Sequence, residues 1–425
     1  MNLPLLMNDF FKYYSKNNLL ASLKYKEVSS LYEMDDSKLL DLYNQRFISL
    51  FKRAITQSTF YKKLYSQHSV TVNSVKDLSD IHKLPIIDRN AIKNHVDDIY
   101  IGFDFMKVKG LTSGTTGTPL TVYRTAFDIA TEQAYIRQYR ELRGLKKNQP
   151  LLSIRGVLGK NTPYHYFKKS NILYISSPNI NEQTIDMYYK MVKEFGPLAI
   201  EAYPSYLYKF CIELEKKGLS LTVANCFTSS ETLMQFQRDK IEPYFNTTIH
   251  DWYGNVERTI LLAQDENMNY QPLPLYSINE YKEDYVITTS LINKHFPLIR
   301  YKVEDVIKIK PDSFKQQLLH PEISNIEGRI GDNLVLPDGS VVGCIDHAFK
   351  GVKNLDWAQV YQYDTLNPIE VKIIVNEQFA KSDEDQLRAN FIRMVGVDTP
   401  LIFTYAKKED LVFSKSGKYQ LIIKK

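Results

Sequence analysis

The chain has 425 residues, of which 44% are hydrophobic and 24% charged. That length holds two to four domains with ample material for a buried core, and the composition excludes global disorder. The net charge is +5, with Lys and Arg interleaved with Asp and Glu rather than gathered into a stripe or tail, so no nucleic-acid partner is expected.

In chain order, the start reaches Asp9 too early for a signal-peptide core. Residues 1–100 read as mostly helical. Leu39, Leu40, Leu42, Tyr43, Phe47, Leu50, Phe51 and Ile55 recur at three- and four-residue spacing, which predicts an amphipathic helix. From about residue 107 short apolar runs alternate with helical stretches. Leu151–Ile154, Asn171–Ile175 and Leu198–Ile200 are predicted strands, with helices over 126–143 and 181–195 between them. This alternation predicts an α/β core whose strands are covered on both faces.

The pattern shifts again near residue 327. Asp338-Gly339 predicts a hairpin turn, and residues 369–375 a strand. Ser382 is a candidate N-cap for a helix carrying Leu387, Phe391 and Met394 on one face. Strands are predicted around 400–405 and 419–423. The expected fold is α/β: a large multi-layer N-terminal domain over 1–326, with helices around mixed β-sheets, and a small mobile α+β domain over 327–425. Cys211, Cys226 and Cys344 have neither disulfide-framework nor zinc spacing, and no run of 18 apolar residues exists. A cytoplasmic protein without a membrane span is expected.

Glycine is scarce, at 17 residues or about 4% against a usual share of about 7%. The ones present are informative. Thr112-Ser113-Gly114-Thr115-Thr116-Gly117-Thr118-Pro119 packs glycines and hydroxyls into one loop, whose N–H and O–H groups can converge on an anion. It lacks the Gly-Lys-Ser/Thr of a Walker A loop. No Gly-x-Ser-x-Gly elbow is present, and the His residues show no metal-ligand spacing.

The loop resembles the phosphate-gripping loop of the adenylate-forming enzymes, the superfamily of acyl-CoA synthetases, peptide-synthetase adenylation domains and luciferases. Further segments follow in that superfamily's order. Thr228-Ser229-Ser230-Glu231 is similar to the nucleotide-side turn of the phenylacetate–CoA ligase and CapK-like branch. Asp251-Trp252-Tyr253-Gly254-Asn255-Val256-Glu257 resembles the aromatic–Gly–x–x–Glu segment. Arg300-Tyr301-Lys302-Val303-Glu304-Asp305 resembles the ribose segment. Glu327-Gly328-Arg329-Ile330-Gly331-Asp332 resembles the hinge, and Ser416-Gly417-Lys418 the lysine loop.

The resemblance implies roles. Thr112, Ser113, Gly114, Thr115, Thr116, Gly117 and Thr118 would hold ATP phosphates, with Ser230 and Glu231 on the nucleotide side. Tyr253 and Gly254 would lie by the adenine, and Asp305 would take both ribose hydroxyls. Glu257 would hold Mg²⁺, Arg329 would approach the nucleotide, Asp332 would sit at the pivot, and Lys418 would bridge carboxylate and α-phosphate. The implied reaction joins a small-molecule carboxylic acid to AMP with release of pyrophosphate, in polysaccharide, cell-envelope or aryl-acid metabolism. Alternatives in the same pocket are AMP transfer to a hydroxyl and a catalytically inactive nucleotide-binding partner. The chain departs from the pattern at Leu120, Gly331, Glu304 and the Leu336-Pro337-Asp338-Gly339-Ser340 turn. The last leaves CoA in doubt, so the acceptor is open among CoA, an amine and a hydroxyl. Tyr135, Tyr139, Tyr203 and Trp252 are aromatic candidates for an acid pocket, with core packing the favoured reading of each. The oligomeric state is open, a homodimer being one option.

Overall fold

The structure, a computed structural model, describes residues 18–111, 120–155, 162–310, 312–329, 334–337, 341–342, 345–349, 352–365, 367–413 and 419–425. The chain is mixed α/β, as its alternating pattern predicts. It forms two compact units. One comprises residues 1–149, 167–171 and 250–326, the other residues 150–166, 172–249 and 327–425.

The first unit opens with helices Leu19–Leu31, Asp36–Gln57 and Thr59–Gln67. Asp35 caps the second of these, its carboxylate accepting the Lys38 N–H at 2.9 Å. The buried face of that helix is Leu39, Tyr43, Phe47, Leu50, Phe51 and Ala54, the predicted stripe. Ser58 ends it and caps the next. Two buried phenols tie these helices to strand-side backbone. Tyr43 accepts the Leu275 N–H at 2.9 Å, and Tyr61 donates to the Pro297 carbonyl at 3.1 Å while accepting the Ile299 N–H at 2.9 Å. Strands Ser277–Tyr281, Val286–Ser290 and Tyr301–Val303 form an antiparallel sheet in the same unit. Val108–Leu111 and Thr121–Arg124 pair as a hairpin, with Leu111 opposite Thr121.

The second unit contains the predicted parallel strands. Leu151–Ile154 pairs in parallel with Ile172–Ile175 on one side and Ala199–Ala202 on the other, and Ala199–Ala202 pairs with Asn225–Ser229. Helices Ile185–Phe195, Pro204–Lys216 and Gln235–Phe245 cover them, burying Tyr188, Val192, Leu207, Phe210, Ile241 and Phe245 against Leu152, Ile154, Ile200 and Cys226. Burial pushes the Cys226 thiol up to about 12, so it is inert as a nucleophile at neutral pH. Strands Leu401–Tyr405, Ile369–Val375, Leu355–Gln362 and Ile422–Lys424 lie side by side in that order, with helix Lys381–Val395 placing Leu387, Phe391 and Val395 on their core. That helix starts one residue before Ser382. The backbone N–H of Ala380 is taken by Asp383 at 3.1 Å, and the same carboxylate accepts Asn354 at 3.0 Å. An acid three residues into the helix therefore replaces the hydroxyl expected to cap it. The hairpin expected at Asp338-Gly339 is framed by paired Leu334–Val335 and Val341–Val342, its tip lying outside the described residues. No helix of the described residues is long and apolar enough to cross a membrane.

Two measurements check this packing. Phe47 is fully buried, so Phe47→Ala is expected to cost about 3–5 kcal/mol of stability, read as a fall in urea midpoint at unchanged slope. Asp356 is buried beside Lys216, at 3.9 Å; burial, opposed by that lysine, raises its carboxyl above the usual range. The native state then holds the proton more tightly than the unfolded chain. The resulting stabilisation is full below the unfolded value near ~3.9 and is lost as pH rises through the raised native one. Asp356→Asn should therefore gain stability over the parent at pH 7 and lose that advantage toward pH 4, measured by thermal denaturation.

Candidate functional site

In the first unit three of the singled-out segments meet. The loop 112–119 lies outside the described residues, but its stem does not. The register holds Leu111 opposite Thr121, so the two ends of the loop lie about 5 Å apart. Arg124, at the foot of that stem, donates from Nη2 to the Val256 carbonyl. The stem is thus fixed to the Tyr253–Glu257 segment. Burial, and after it the charge of Arg258, holds the Arg124 guanidinium below its ordinary value. Gly110 faces that guanidinium: a Cβ there would come within 2.8 Å of it.

Strand Thr248–Gly254 delivers Tyr253 and Gly254. A Cβ on Gly254 would sit 2.9 Å from Leu261 Cδ1, so a larger residue here requires the Leu261 side chain to shift. The Tyr253 hydroxyl donates to Asp305 Oδ2, and Asp305 is buried at the start of strand Asp305–Ile309. Glu257 is buried and accepts the Tyr301 hydroxyl at 3.2 Å, with Arg89 3.8 Å away. Both contacts fall on Oε1, and Oε2 makes no hydrogen bond among the described residues. The Tyr253–Glu257 segment is therefore joined to Asp305 through the Tyr253 hydroxyl, to Tyr301 through Glu257 and to the loop stem through Arg124.

What the sequence reading passed over is the pair of arginines beside these acids. Arg300 sits at φ +53° and Arg258 at φ +57°, a region that non-glycine residues rarely enter. Arg300 is buried and bidentate on Glu280, at 2.9 and 2.8 Å, and also donates to the carbonyls of His82 and Leu84. Arg258 pairs with Glu132, and its carbonyl accepts the Ser290 hydroxyl at 2.8 Å. Each arginine locks the backbone next to a site residue. The available signal was Arg300 itself, inside the ribose segment, with an acid needed elsewhere to neutralise it.

The aromatic candidates divide. Tyr135 is wholly buried, donates to the Pro274 carbonyl at 2.7 Å and meets Tyr276 edge-on, so it is core. Tyr139 stacks on Trp252 with ring centroids 6.0 Å apart.

In the second unit, Thr228 and Ser229 end a strand and Ser230 follows at φ +72°. Glu231 accepts the Ser205 N–H at 3.1 Å, at the first turn of helix Pro204–Lys216, and the Tyr419 N–H at 2.9 Å. It thereby ties the residue after Lys418 to the start of that helix. Lys418 and Asp332 lie outside the described residues, as do Thr112 to Thr118. Arg329 ends strand Ile323–Arg329, and its side chain is likewise outside the description.

Comparison with known proteins follows from this geometry. The profile of the CapK C-terminal domain matches residues 334–425. The chain is 24% identical over 403 residues to Protein CapK of Staphylococcus aureus, covering 90% of this chain and 89% of that one. It is 23% identical over 328 residues to the phenylacetate-coenzyme A ligase of Escherichia coli K12, covering 70% and 73%. Among solved structures it matches 2-hydroxyisobutyryl-CoA ligase in the postadenylation state with 2-HIB-AMP. There the TM-score is 0.73 at 13% identity, over 92% of this chain and 90% of that one.

Two variants separate scaffold from site. Arg300→Met strands the buried Glu280 and is expected to destabilise by about 3–5 kcal/mol. Tyr253→Phe removes a hydrogen bond to a buried carboxylate and should cost less, about 1.5–3 kcal/mol. Chemical denaturation of the two variants side by side checks the ranking.

Proposed function

We propose that this chain, a homologue of CapK and of the phenylacetate-coenzyme A ligases with the fold of the adenylate-forming ligases, activates a carboxylic acid with ATP. The observation that carries the reading is the junction in the first unit: loop stem, Tyr253–Glu257 segment, Tyr301 and Asp305 are held together by named hydrogen bonds. Those are the parts a nucleoside triphosphate needs: amides for phosphate, a carboxylate for a cation and a carboxylate for the ribose.

In this reading a carboxylate oxygen of the acid attacks the α-phosphorus of ATP. The bond from that phosphorus to the bridging oxygen breaks, giving acyl-AMP and pyrophosphate. No enzyme nucleophile is consumed, so the work is positioning and charge stabilisation. Residues 112–118 cradle the β- and γ-phosphates. Asp305 accepts from the ribose hydroxyls, held by the Tyr253 hydroxyl. Lys418 brings a compact positive charge to the carboxylate and α-phosphate. Glu257 suits Mg²⁺: its Oε2 is available, and no three potential ligands cluster among the described residues, so phosphate and water would complete the shell. Bound there, the ion supplies charge neutralisation at the phosphates. Arg89 and Arg124 add positive charge beside the same carboxylate.

Acid-dependent exchange of labelled pyrophosphate into ATP tests this. Glu257→Gln and Lys418→Ala are each expected to lower the exchange rate by about 100-fold or more. Asp305→Ala should mainly weaken ATP binding, by about tenfold or more in Kd. If Glu257→Gln and Lys418→Ala both leave exchange intact, the assignment is wrong.

A further inference from the structure

In the second unit the carboxyl ends of the parallel strands carry a charged cluster that the reading above does not use. In open α/β sheets this edge is where ligands bind. Arg155 directly follows strand Leu151–Ile154. Its Nη1 is paired with Glu201 of strand Ala199–Ala202. Its Nη2 lies 3.2 Å from Ser229 Oγ and 3.4 Å from Ser230 Oγ, at the end of strand Asn225–Ser229. The guanidinium sits 5.1 Å from the Tyr203 ring centroid. Three neighbouring strands thus each place a polar group at the same edge.

This cluster is out of keeping with its surroundings. The strands beneath are Leu-Leu-Ser-Ile and Ala-Ile-Glu-Ala, packed into an apolar core. A partly buried ion pair there adds little stability over apolar residues of the same size. Side-chain exposure is 22% for Arg155 and 14% for Glu201, so the pair is mostly desolvated yet still open to a ligand. Ser230 holds a left-handed φ that its residue type does not favour, a form of strain that concentrates at functional sites. The Nε of Arg155 makes no hydrogen bond among the described residues, so the cluster retains a donor beside the Glu201 acceptor. Adjacent donors and acceptors of this kind match the hydroxyls of a sugar-like acid.

We propose that Arg155, Glu201 and Ser229 form a polar subsite that selects a polyhydroxylated carboxylic acid over aryl and fatty acids. The proposal rests on the ligase reading and names its substrate class. Glu201 accepts from substrate hydroxyls, while the Arg155 guanidinium and the serine hydroxyl donate to them. An acid lacking hydroxyls displaces water from these partly exposed groups and offers them no hydrogen bond in return, a situation in which enzymes reject an analogue.

The test uses the full-length protein with two acids, D-glucuronate and phenylacetate, and two readouts. Ligand-induced thermal shift reports the subsite without ATP, and pyrophosphate exchange reports the chemistry. The parent should be stabilised by D-glucuronate and should exchange with it at least about 100-fold more efficiently than with phenylacetate. Arg155→Met should abolish the D-glucuronate shift. Because that variant removes the ion-pair partner of Glu201, Arg155→Met/Glu201→Met is measured beside it, and its preference should move toward phenylacetate by at least about tenfold. A parent that binds or activates phenylacetate in preference, or a D-glucuronate response unchanged in the double variant, overturns the subsite. A D-glucuronate shift lost in the variants, with no exchange for any acid, supports the subsite and refutes the ligase reading. Absence of any shift or exchange with D-glucuronate overturns the subsite outright.

Discussion

The first unit depends on a buried guanidinium. Arg300 occupies a left-handed backbone conformation that costs about 1–3 kcal/mol. It is held there by a bidentate carboxylate and two carbonyls. Those carbonyls, of His82 and Leu84, belong to the segment following the first helices, so the same side chain joins the helical start to the sheet. Around it the backbone continues the clamp. The Ile87 N–H reaches the Arg300 carbonyl at 3.0 Å, and the Lys302 N–H reaches the Ile87 carbonyl at 2.8 Å. Tyr301 is placed by this arrangement together with its pairing to Thr288 in the antiparallel sheet.

Arg258 repeats the device on the other acid. It follows Glu257, adopts the same rare φ and is neutralised by Glu132. Buried ion pairs are poor sources of net stability, because desolvating two charges offsets their attraction. Their value is directional: a planar fork fixes the orientation of what it grips. Arg300 grips Glu280 as such a fork, and Arg258 meets Glu132 through Nη2. Rigidity where the ligand carboxylates sit is what positioning catalysis requires.

The helices of the first unit and the parallel strands of the second were legible in the sequence because periodicity reports burial directly. Leu39 to Ala54 repeats every three or four residues, and Leu151–Ile154 is apolar on both faces. The candidate site segments stood out as motifs, since a glycine-rich loop or a Tyr-Gly-x-x-Glu run suggests its chemistry locally. The junctions were not. Tyr253 with Asp305 and Glu280 with Arg300 are pairings across 52 and 20 residues. Hydrophobic period carries no information about which charge meets which. The N-cap near residue 382 was misplaced for a related reason: propensity points to a hydroxyl, while the cap is Ala380 and Asp383 reaches back to accept the Ala380 N–H.

Glu231 shows how one short segment serves two ends of its unit. Its oxygens accept one N–H from the first turn of helix Pro204–Lys216 and one from Tyr419, the neighbour of Lys418. Pro204, at the first position of that helix, has no N–H of its own to satisfy, so the carboxylate is directed at Ser205. One residue earlier Ser230 is strained, and one before that Ser229 meets Arg155. Residues 229–231 therefore carry, in succession, a contact of the proposed acid subsite, a strained turn and the anchor of the lysine loop. Because the three are consecutive, a shift of a few tenths of an ångström at Ser229 must be absorbed at Ser230 or passed to Glu231.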